Sequence, residues 1–309
     1  MISTVTINPA VDYSLKADEI KLDKVNRVDF LAKSAAGKGI NVAKAVKKLG
    51  QEPQALGCVG GVAGQYIVDE LKKQEITTDF NWVENETRIN FKVIDNLNQE
   101  TKINQHGLPL TESELEKIFA KIIEQAQQSE ILILGGSLPE NTPVDFYQKV
   151  IAELNGTATK VFLDTSEEAL KLALKSKPTL IKPNLRELEE IEGQELSFQE
   201  VISVSQDLVT SGIETVVVSM GADGALLVTE KDVCYARPPQ VEVVSTVGAG
   251  DSMVGALAVA YAKNYSAQKK LKFAVAMSVA TILSPGSEVA NLVEVKKWMK
   301  EVKVKQVEG

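Results

Sequence analysis

Several short stretches set acids, amides and lysines beside glycine, the combination a phosphate-handling site requires. In "STVGAGDSMVGAL", residues 245–257, Gly248, Ala249 and Gly250 precede Asp251 and an apolar run with Val254, Leu257, Ala258 and Tyr261 at helical spacing. Glycines that open a helix leave backbone N–H groups free to meet an anion. An aspartate there carries the wrong charge for phosphate. One reading makes Asp251 a complement to the helix dipole, worth about 0.3–1 kcal/mol. The other makes it the acceptor of a proton from an attacking hydroxyl, while the glycine N–H groups stabilise a phosphoryl group in transfer.

The stretch "AAGKGINVAKAVKKLG", residues 35–50, is not a Walker A loop, because position 32 is Ala and Gly39 stands where Ser or Thr should follow the lysine. Val42, Val46 and Leu49 form an apolar helical face, and Gly50 suits a helix stop. Gly37 and Gly39 bracket Lys38 and let a ligand approach the main chain, with Asn41 in the first turn. In "LIKPNLRELEE", Asn184 and Glu187 stand three apart at a helix start. They fit a capping box, the reading the residues alone favour; the alternative is a pair that positions hydrated magnesium. "VVVSMGADGALLV" reads as strand, turn, strand, with Gly221 and Gly224 bracketing a loop that suits a hairpin or a nucleotide. "GCVGGVAG", residues 57–64, lacks the glycine spacing of a dinucleotide loop.

The 309 residues carry 34 basic and 42 acidic side chains, a formal net charge of −8, with no basic surplus for nucleic acid or an anionic membrane. Hydrophobic residues make up 44%, enough for a substantial core. Cys58 and Cys234 lack metal-like spacing and read as buried, reduced thiols. His106 is the sole histidine, which rules out a His-rich zinc site and leaves no motif for a Ser-His-Asp hydrolase. The first residues do not read as a signal peptide, and the longest apolar run, Phe273 to Leu283, falls short of the roughly 20 residues of a membrane helix. A soluble, cytoplasmic protein is expected.

To position these groups the chain alternates apolar strand-length runs with amphipathic segments. Strands are expected at Ile2–Ile7, Gln54–Val59, Ile131–Leu134, Lys160–Leu163, Thr179–Ile181 and Thr215–Ser219. Helices are expected near 40–49, 64–73, 111–128, 143–154, 184–192 and 198–210, and from Ala249 onward. That rhythm implies an α/β domain with a mostly parallel sheet covered on both faces. Val11–Leu15 with Asn26–Lys33, and Thr87–Asp95 with Glu100–Asn104 joined by "NLNQ", read instead as an antiparallel lid.

"TINPAVD", "GKGINVAKAVKKLG", "GGSLP", "KPNLREL", "VSMGADGALLV" and "STVGAGDSMVGA" together resemble the ribokinase-like sugar kinases of the phosphofructokinase B branch, in that family's order. The resemblance implies a single three-layer α/β/α domain over 1–309, with lid strands inserted at about 11–34 and 86–106 and a homodimer formed through the lid. It implies ATP and Mg2+ as cofactors, a small-molecule sugar phosphate as acceptor, and neither nucleic acid nor membrane as partner. By matching position, Asp251 is the expected base, with Gly248, Ala249 and Gly250 the anion hole. Asp12 and Asn41 are expected on sugar hydroxyls. Gly37, Lys38, Gly39, Arg88 and Ser137 are expected around the sugar's phosphate, with Arg27 a further candidate. Lys182 and the loop Ser219, Met220, Gly221, Ala222, Asp223 and Gly224 are expected on the nucleotide, and Asn184 and Glu187 on the metal.

Within the branch, "AAGKGINVAK" and "TRIN" are most similar to kinases that convert fructose 1-phosphate to fructose 1,6-bisphosphate. Tagatose-6-phosphate kinases share the framework. In "TKINQHG" Lys102 and Ile103 replace the Asp and Phe usual in the first group, which alters the lid floor. A non-catalytic sugar-phosphate-binding regulator and an NAD-dependent oxidoreductase are the readings from other classes.

Overall fold

The computed structural model describes residues 1–97, 99–107, 109–284 and 288–307; Asn98 of the expected "NLNQ" turn lies outside them, as do the remaining residues of the domain expected over 1–309. In chain order the first half runs β1 (Ile2–Thr6), β2 (Ala10–Lys16), β3 (Asp29–Ala36), α1 (Lys38–Lys48), β4 (Pro53–Val59), α2 (Gly61–Lys73), β5 (Thr77–Trp82), β6 (Arg88–Ile94), β7 (Glu100–Asn104) and α3 (Glu112–Gln127). Then follow β8 (Ile131–Gly135), α4 (Phe146–Leu154), β9 (Lys160–Asp164), α5 (Glu167–Leu174), β10 (Leu180–Ile181), α6 (Leu185–Glu192) and α7 (Phe198–Thr210). The chain ends with β11 (Thr215–Ser219), β12 (Ala225–Val228), β13 (Val233–Arg237), α8 (Ala249–Ala262), α9 (Ala267–Ile282), α10 (Leu292–Trp298) and β14 (Lys303–Gln306).

One sheet has ten strands, in the order β14-β13-β12-β11-β10-β9-β8-β1-β4-β5. Its pairs are parallel from β11 to β5 and antiparallel from β11 to β14. The unbroken apolar run of β8 shows why helices cover both faces. Ile131 and Ile133 enter one core with residues of α1, α8 and α9, while Leu132 and Leu134 enter the other with residues of α3 and α4. The chain leaves β1 toward β4 on one side and later returns to β8 on its other side. In open parallel sheets a crevice forms at that point, beyond the carboxyl ends of the strands. Among the described residues no helix is long and apolar enough to cross a membrane.

The lid is a separate four-stranded sheet, in the order β3-β2-β6-β7. It is not wholly antiparallel, as the sequence suggested, because β2 pairs with β6 in parallel. Between those two strands the chain passes through β3, α1, β4, α2 and β5, a crossover long enough to bring β6 back in the direction of β2. The register sets Asp12 beside Asn90 and Asn90 beside Asn104, so these polar residues form a row across the lid. Tyr13, Phe91 and Ile103, one residue on, form the row on the opposite face.

Helix α8 is apolar around its circumference, and Ser252 to Ala260 are all buried. It runs through the core between α1 and α9. A Cβ on Gly255 would lie 2.8 Å from Cβ of Ala45, so the absence of a side chain lets α8 press against α1. One turn toward the N-terminus of each helix stand Asp251 and Asn41.

Candidate active site

That helix crossing sets the central contact. Asn41 Nδ2 donates to Asp251 Oδ2 at 2.8 Å. The Asp251 carboxylate therefore takes its side-chain hydrogen bond from α1 rather than from the first turn of its own helix, which sharpens the choice left open by the sequence. Gly248, the N-cap of α8, has φ 76°, the left-handed region that glycine enters without penalty, and no side chain of the described residues caps it. Behind this turn the Ala249 carbonyl accepts from Ser252 Oγ and Ser278 Oγ, both at 2.9 Å, which fixes the entry of the helix.

An ion triad, buried at Asp164 and Lys182 and half-buried at Lys38, lies beside it. Asp164 ends β9, Lys38 opens α1 and Lys182 follows β10. Asp164 Oδ1 meets Lys38 Nζ at 3.0 Å and Lys182 Nζ at 3.4 Å. A Cβ on Gly250 would lie 3.7 Å from Lys182 Nζ, so this ammonium reaches the first turn of α8. Burial pushes the Asp251 carboxyl above its ordinary value, and the Asp164 charge adds to the rise against the pull of Asn41, Lys38 and Lys182. Burial acts on Asp164 in the same sense, but Lys182 and Lys38 outweigh it and hold Asp164 below the usual carboxylate range. Burial would lower Lys38; Asp164, Asp251 and Glu187 overcome it and raise the ammonium. Two carboxyls a short distance apart are thus driven in opposite directions, the pattern that separates a base from a fixed counter-charge.

On the lid side, Asn90 Nδ2 donates to Asp12 Oδ1 at 2.9 Å. Burial raises Asp12, opposed by that hydrogen bond and by Arg88. Asp12, Ser14, Ser34, Asn90, Lys92 and Lys102 line a cavity of about 200 Å³ whose far wall includes Val247, one residue before Gly248. The lid floor therefore faces the start of α8. Near the root of the lid, the Arg88 guanidinium donates to the carbonyls of Asn8 at 3.1 Å, Gln105 at 3.3 Å and Pro9 at 3.4 Å. Asn8 Nδ2 donates to Ser137 Oγ at 3.2 Å, joining the ends of β1 and β8 across the switch point.

Residues 3–292 match the pfkB family carbohydrate kinase. The chain belongs to the pfkB family. It is 36% identical to the 1-phosphofructokinase of Bacillus subtilis, over 98% of this chain and 99% of that protein. It is 35% identical to the 1-phosphofructokinase of Borreliella burgdorferi, over 99% of each. Among solved structures it resembles phosphofructokinase-2 from Escherichia coli in complex with potassium, with a TM-score of 0.92 at 30% identity over 97% and 98% of the two chains. A tetrameric inhibited form of that enzyme gives 0.90 at 30% identity over the same shares.

In this carbohydrate kinase the remaining candidates fall into place unevenly. Asn184 and Glu187 form a reciprocal capping box, Glu187 N to Asn184 Oδ1 and Asn184 N to Glu187 Oε2, each 2.8 Å. The box uses one carboxylate oxygen, and the Glu187 charge still reaches Lys38. Asn184 also bridges to Ser219, which places the expected nucleotide loop at the same end of the sheet. From Ser219 to Gly224 that loop is a hairpin turn with Gly221, Ala222 and Asp223 exposed. Gly37 and Gly39 pack on β1: a Cβ would lie 2.6 Å from Thr6 Cγ2 in the first case and 2.5 Å from Thr6 Oγ1 in the second. Their small size thus serves the seating of α1. Arg27 stands apart, exposed in the β2–β3 connection at the end of that hairpin remote from Asp12.

Two features escaped the sequence reading. Asp164 is a lone acid at a strand end, and only its place at the carboxyl edge of a parallel sheet signals a site. Glu86 accepts from the N–H groups of Ala63 at 2.6 Å and Val62 at 3.2 Å, so a carboxylate of the chain itself fills the start of α2. That removes the "GCVGGVAG" turn as a dinucleotide phosphate site and with it the oxidoreductase reading. Cys58 and Cys234 are buried free thiols, and burial pushes Cys58 up to about 12, in keeping with inert cysteines.

Proposed function

We propose that this kinase transfers the γ-phosphoryl group of ATP to fructose 1-phosphate, giving fructose 1,6-bisphosphate. The observation that carries the reading is Asp251, held by Asn41 at the uncapped glycine start of α8 and faced by the Asp12–Asn90 floor of the lid. In this reading Asp12 and Asn41 hold sugar hydroxyls. Lys38, Arg88 and Ser137 surround the phosphate already on the sugar, and Lys182 and the Ser219–Gly224 loop take the nucleotide.

The acceptor hydroxyl gives its proton to Asp251 as its oxygen bonds to the γ-phosphorus. The bond from that phosphorus to the bridging oxygen breaks, and ADP departs with the electron pair. Gly248, Ala249 and Gly250 direct N–H groups at the charge in transfer. For magnesium, among the described residues no cluster of three or more acidic, His or Cys side chains forms a closed cage. A carboxylate at the sheet edge, with one oxygen outside its capping box, suits an ion that keeps most of its waters. Asn184 and Glu187 would hold it, and the ion would neutralise charge on the transferring phosphates.

The chain would work as a homodimer through the lid. Ile103 is 56% exposed, and Phe30, which packs edge-on to Tyr13, is 62% exposed, so the lid presents aromatic and aliphatic surface. The same reading puts it in the cytoplasm, where ATP and phosphorylated sugars are held. A coupled ADP-release assay with fructose 1-phosphate, tagatose 6-phosphate and fructose 6-phosphate tests the substrate. Fructose 1-phosphate is expected to give the highest kcat/KM; a preference for tagatose 6-phosphate would overturn the choice of sugar, and turnover of none would overturn the kinase reading.

A further inference from the structure

We propose that Asp164 is a positioning residue that ties the acceptor and donor sides of the site together through one carboxylate oxygen. The proposal rests on the reading above, in which Lys38 faces the sugar phosphate and Lys182 the nucleotide. The two lysines come from opposite directions, Lys38 from the start of α1 packed on β1 and Lys182 from the end of β10. Asp164 stands between them because β9 lies between β8 and β10 in the sheet.

Burial makes the tether rigid on one side and adjustable on the other. Asp164 is 2% exposed and the Lys182 side chain 5%, whereas the Lys38 side chain is 34% exposed. Asp164 Oδ1 takes both ammonium groups, and Oδ2 is buried with no hydrogen-bond partner among the described residues. The carboxylate is therefore committed to the lysines rather than to its own backbone. An ammonium has three N–H donors. Spending one on Asp164 fixes its position and leaves two for phosphate oxygens. One buried charge thus aims two cations at two different substrates.

The consequence is specific: a single substitution should impair the binding of both substrates, whereas each lysine variant should impair one. In the full-length enzyme, Asp164→Asn keeps the shape and removes the charge. Losing the charge-assisted hydrogen bond to Lys38 and the ion pair to Lys182 is expected to raise KM for ATP and KM for the sugar phosphate by about tenfold each. Lys38→Met is expected to raise only the sugar-phosphate KM, and Lys182→Met only that for ATP. A purely structural role would lower the active fraction and leave both KM values in place, which would overturn the proposal. A rise confined to the Mg2+ requirement would also overturn it, by making Asp164 a metal-holding group.

Should Asp164→Asn alone not fold around the buried Lys182 ammonium, the double variant Asp164→Asn/Lys182→Met is compared with Lys182→Met. A sugar-phosphate KM about tenfold higher in the double variant supports the tether, and equal values overturn it. The wild-type enzyme is assayed first. If it turns over a different phosphorylated sugar, the substrate reading fails, and the same comparison on that sugar still decides the role of Asp164.

Discussion

Helices α2 and α8 both begin at glycines near the carboxyl edge of the large sheet, and their first turns are put to opposite uses. At α2, Gly61 has φ 64° and the Glu86 carboxylate accepts from two N–H groups of the first turn. Thr87 completes the joint, accepting from Gly60 N at 2.9 Å and donating its own N–H to Gly60 O at 2.9 Å. The next residue, Arg88, starts the lid strand β6. The positive end of α2 is thereby spent on anchoring the lid. At α8 the nearest acid, Asp251, is drawn sideways to Asn41, and no described side chain takes the N–H groups behind Gly248. The same local chemistry gives a structural joint where the chain supplies the anion and, in the function proposed above, a reaction centre where the anion is a substrate.

The contrast is broken most severely at Asp251. Asp251→Asn keeps the Asn41 contact within reach but cannot accept the acceptor's proton. Its kcat is expected to fall by about 10²–10⁴-fold, with both KM values little changed, in steady-state ADP release. Near-normal kcat would return Asp251 to the role of a helix-dipole acid and make α8 a second α2.

Gly248→Ala acts next. Beyond its chain neighbours, a Cβ there meets no atom of the described residues within 4 Å, so the variant is expected to fold, with a cost of about 1–2 kcal/mol for the left-handed backbone. The left-handed backbone is disfavoured for alanine, so the N–H groups at the start of α8 are expected to lose their alignment on the phosphoryl group. A fall of about tenfold to a hundredfold in kcat is expected, alongside a modest loss in thermal midpoint. A thermal shift without a kinetic one would mean that the start of α8 binds nothing.

The third effect is a displacement of a pH profile. In the proposed mechanism Asp251 is the deprotonated base, so activity is expected to fall as pH falls through its pKa. Burial and the Asp164 charge set that value above the ordinary carboxylate value, so the acid limb of kcat should lie above the usual carboxylate range. The Asn41 hydrogen bond favours the charged form. Removing it in Asn41→Ala is therefore expected to move the limb to still higher pH, measured as kcat against pH at saturating substrates. A limb that moves down, or does not move, would dissociate Asn41 from the base.

How much of this could be read from the chain differs between the two helices. The α8 motif was legible because glycine, aspartate and helical periodicity are contiguous within "STVGAGDSMVGAL". The core strands were legible too, since strands buried on both faces are continuously apolar. Strand β5 was not, because "TTDFNW" at the sheet edge is mostly half-exposed and carries no such run. The parallel pairing of β2 with β6 depends on a crossover through five elements, so no local pattern announces it. Asp164 and Glu86 escaped for a shared reason. Each acts on groups distant in sequence, Lys38 lying 126 residues from Asp164 and Ala63 lying 23 from Glu86.

The smallest expected effect completes the comparison from the other side. Glu86→Ala removes the carboxylate from the start of α2 while leaving Asp251, Asn41 and the triad untouched. Loss of an N-terminal cap costs about 1 kcal/mol, to be read as a lower urea midpoint at unchanged slope. The kcat should stay at the wild-type value, because no atom of Glu86 meets the reacting groups. KM for the sugar phosphate should rise slightly, since Thr87 and Arg88 follow directly and the lid root loosens. Inorganic phosphate should then stabilise the variant more than the wild type, because the first turn of α2 becomes an anion site like any other uncapped helix start. A large drop in kcat would show that the two helix starts are not independent, and that α2 transmits the position of the lid to the base on α8.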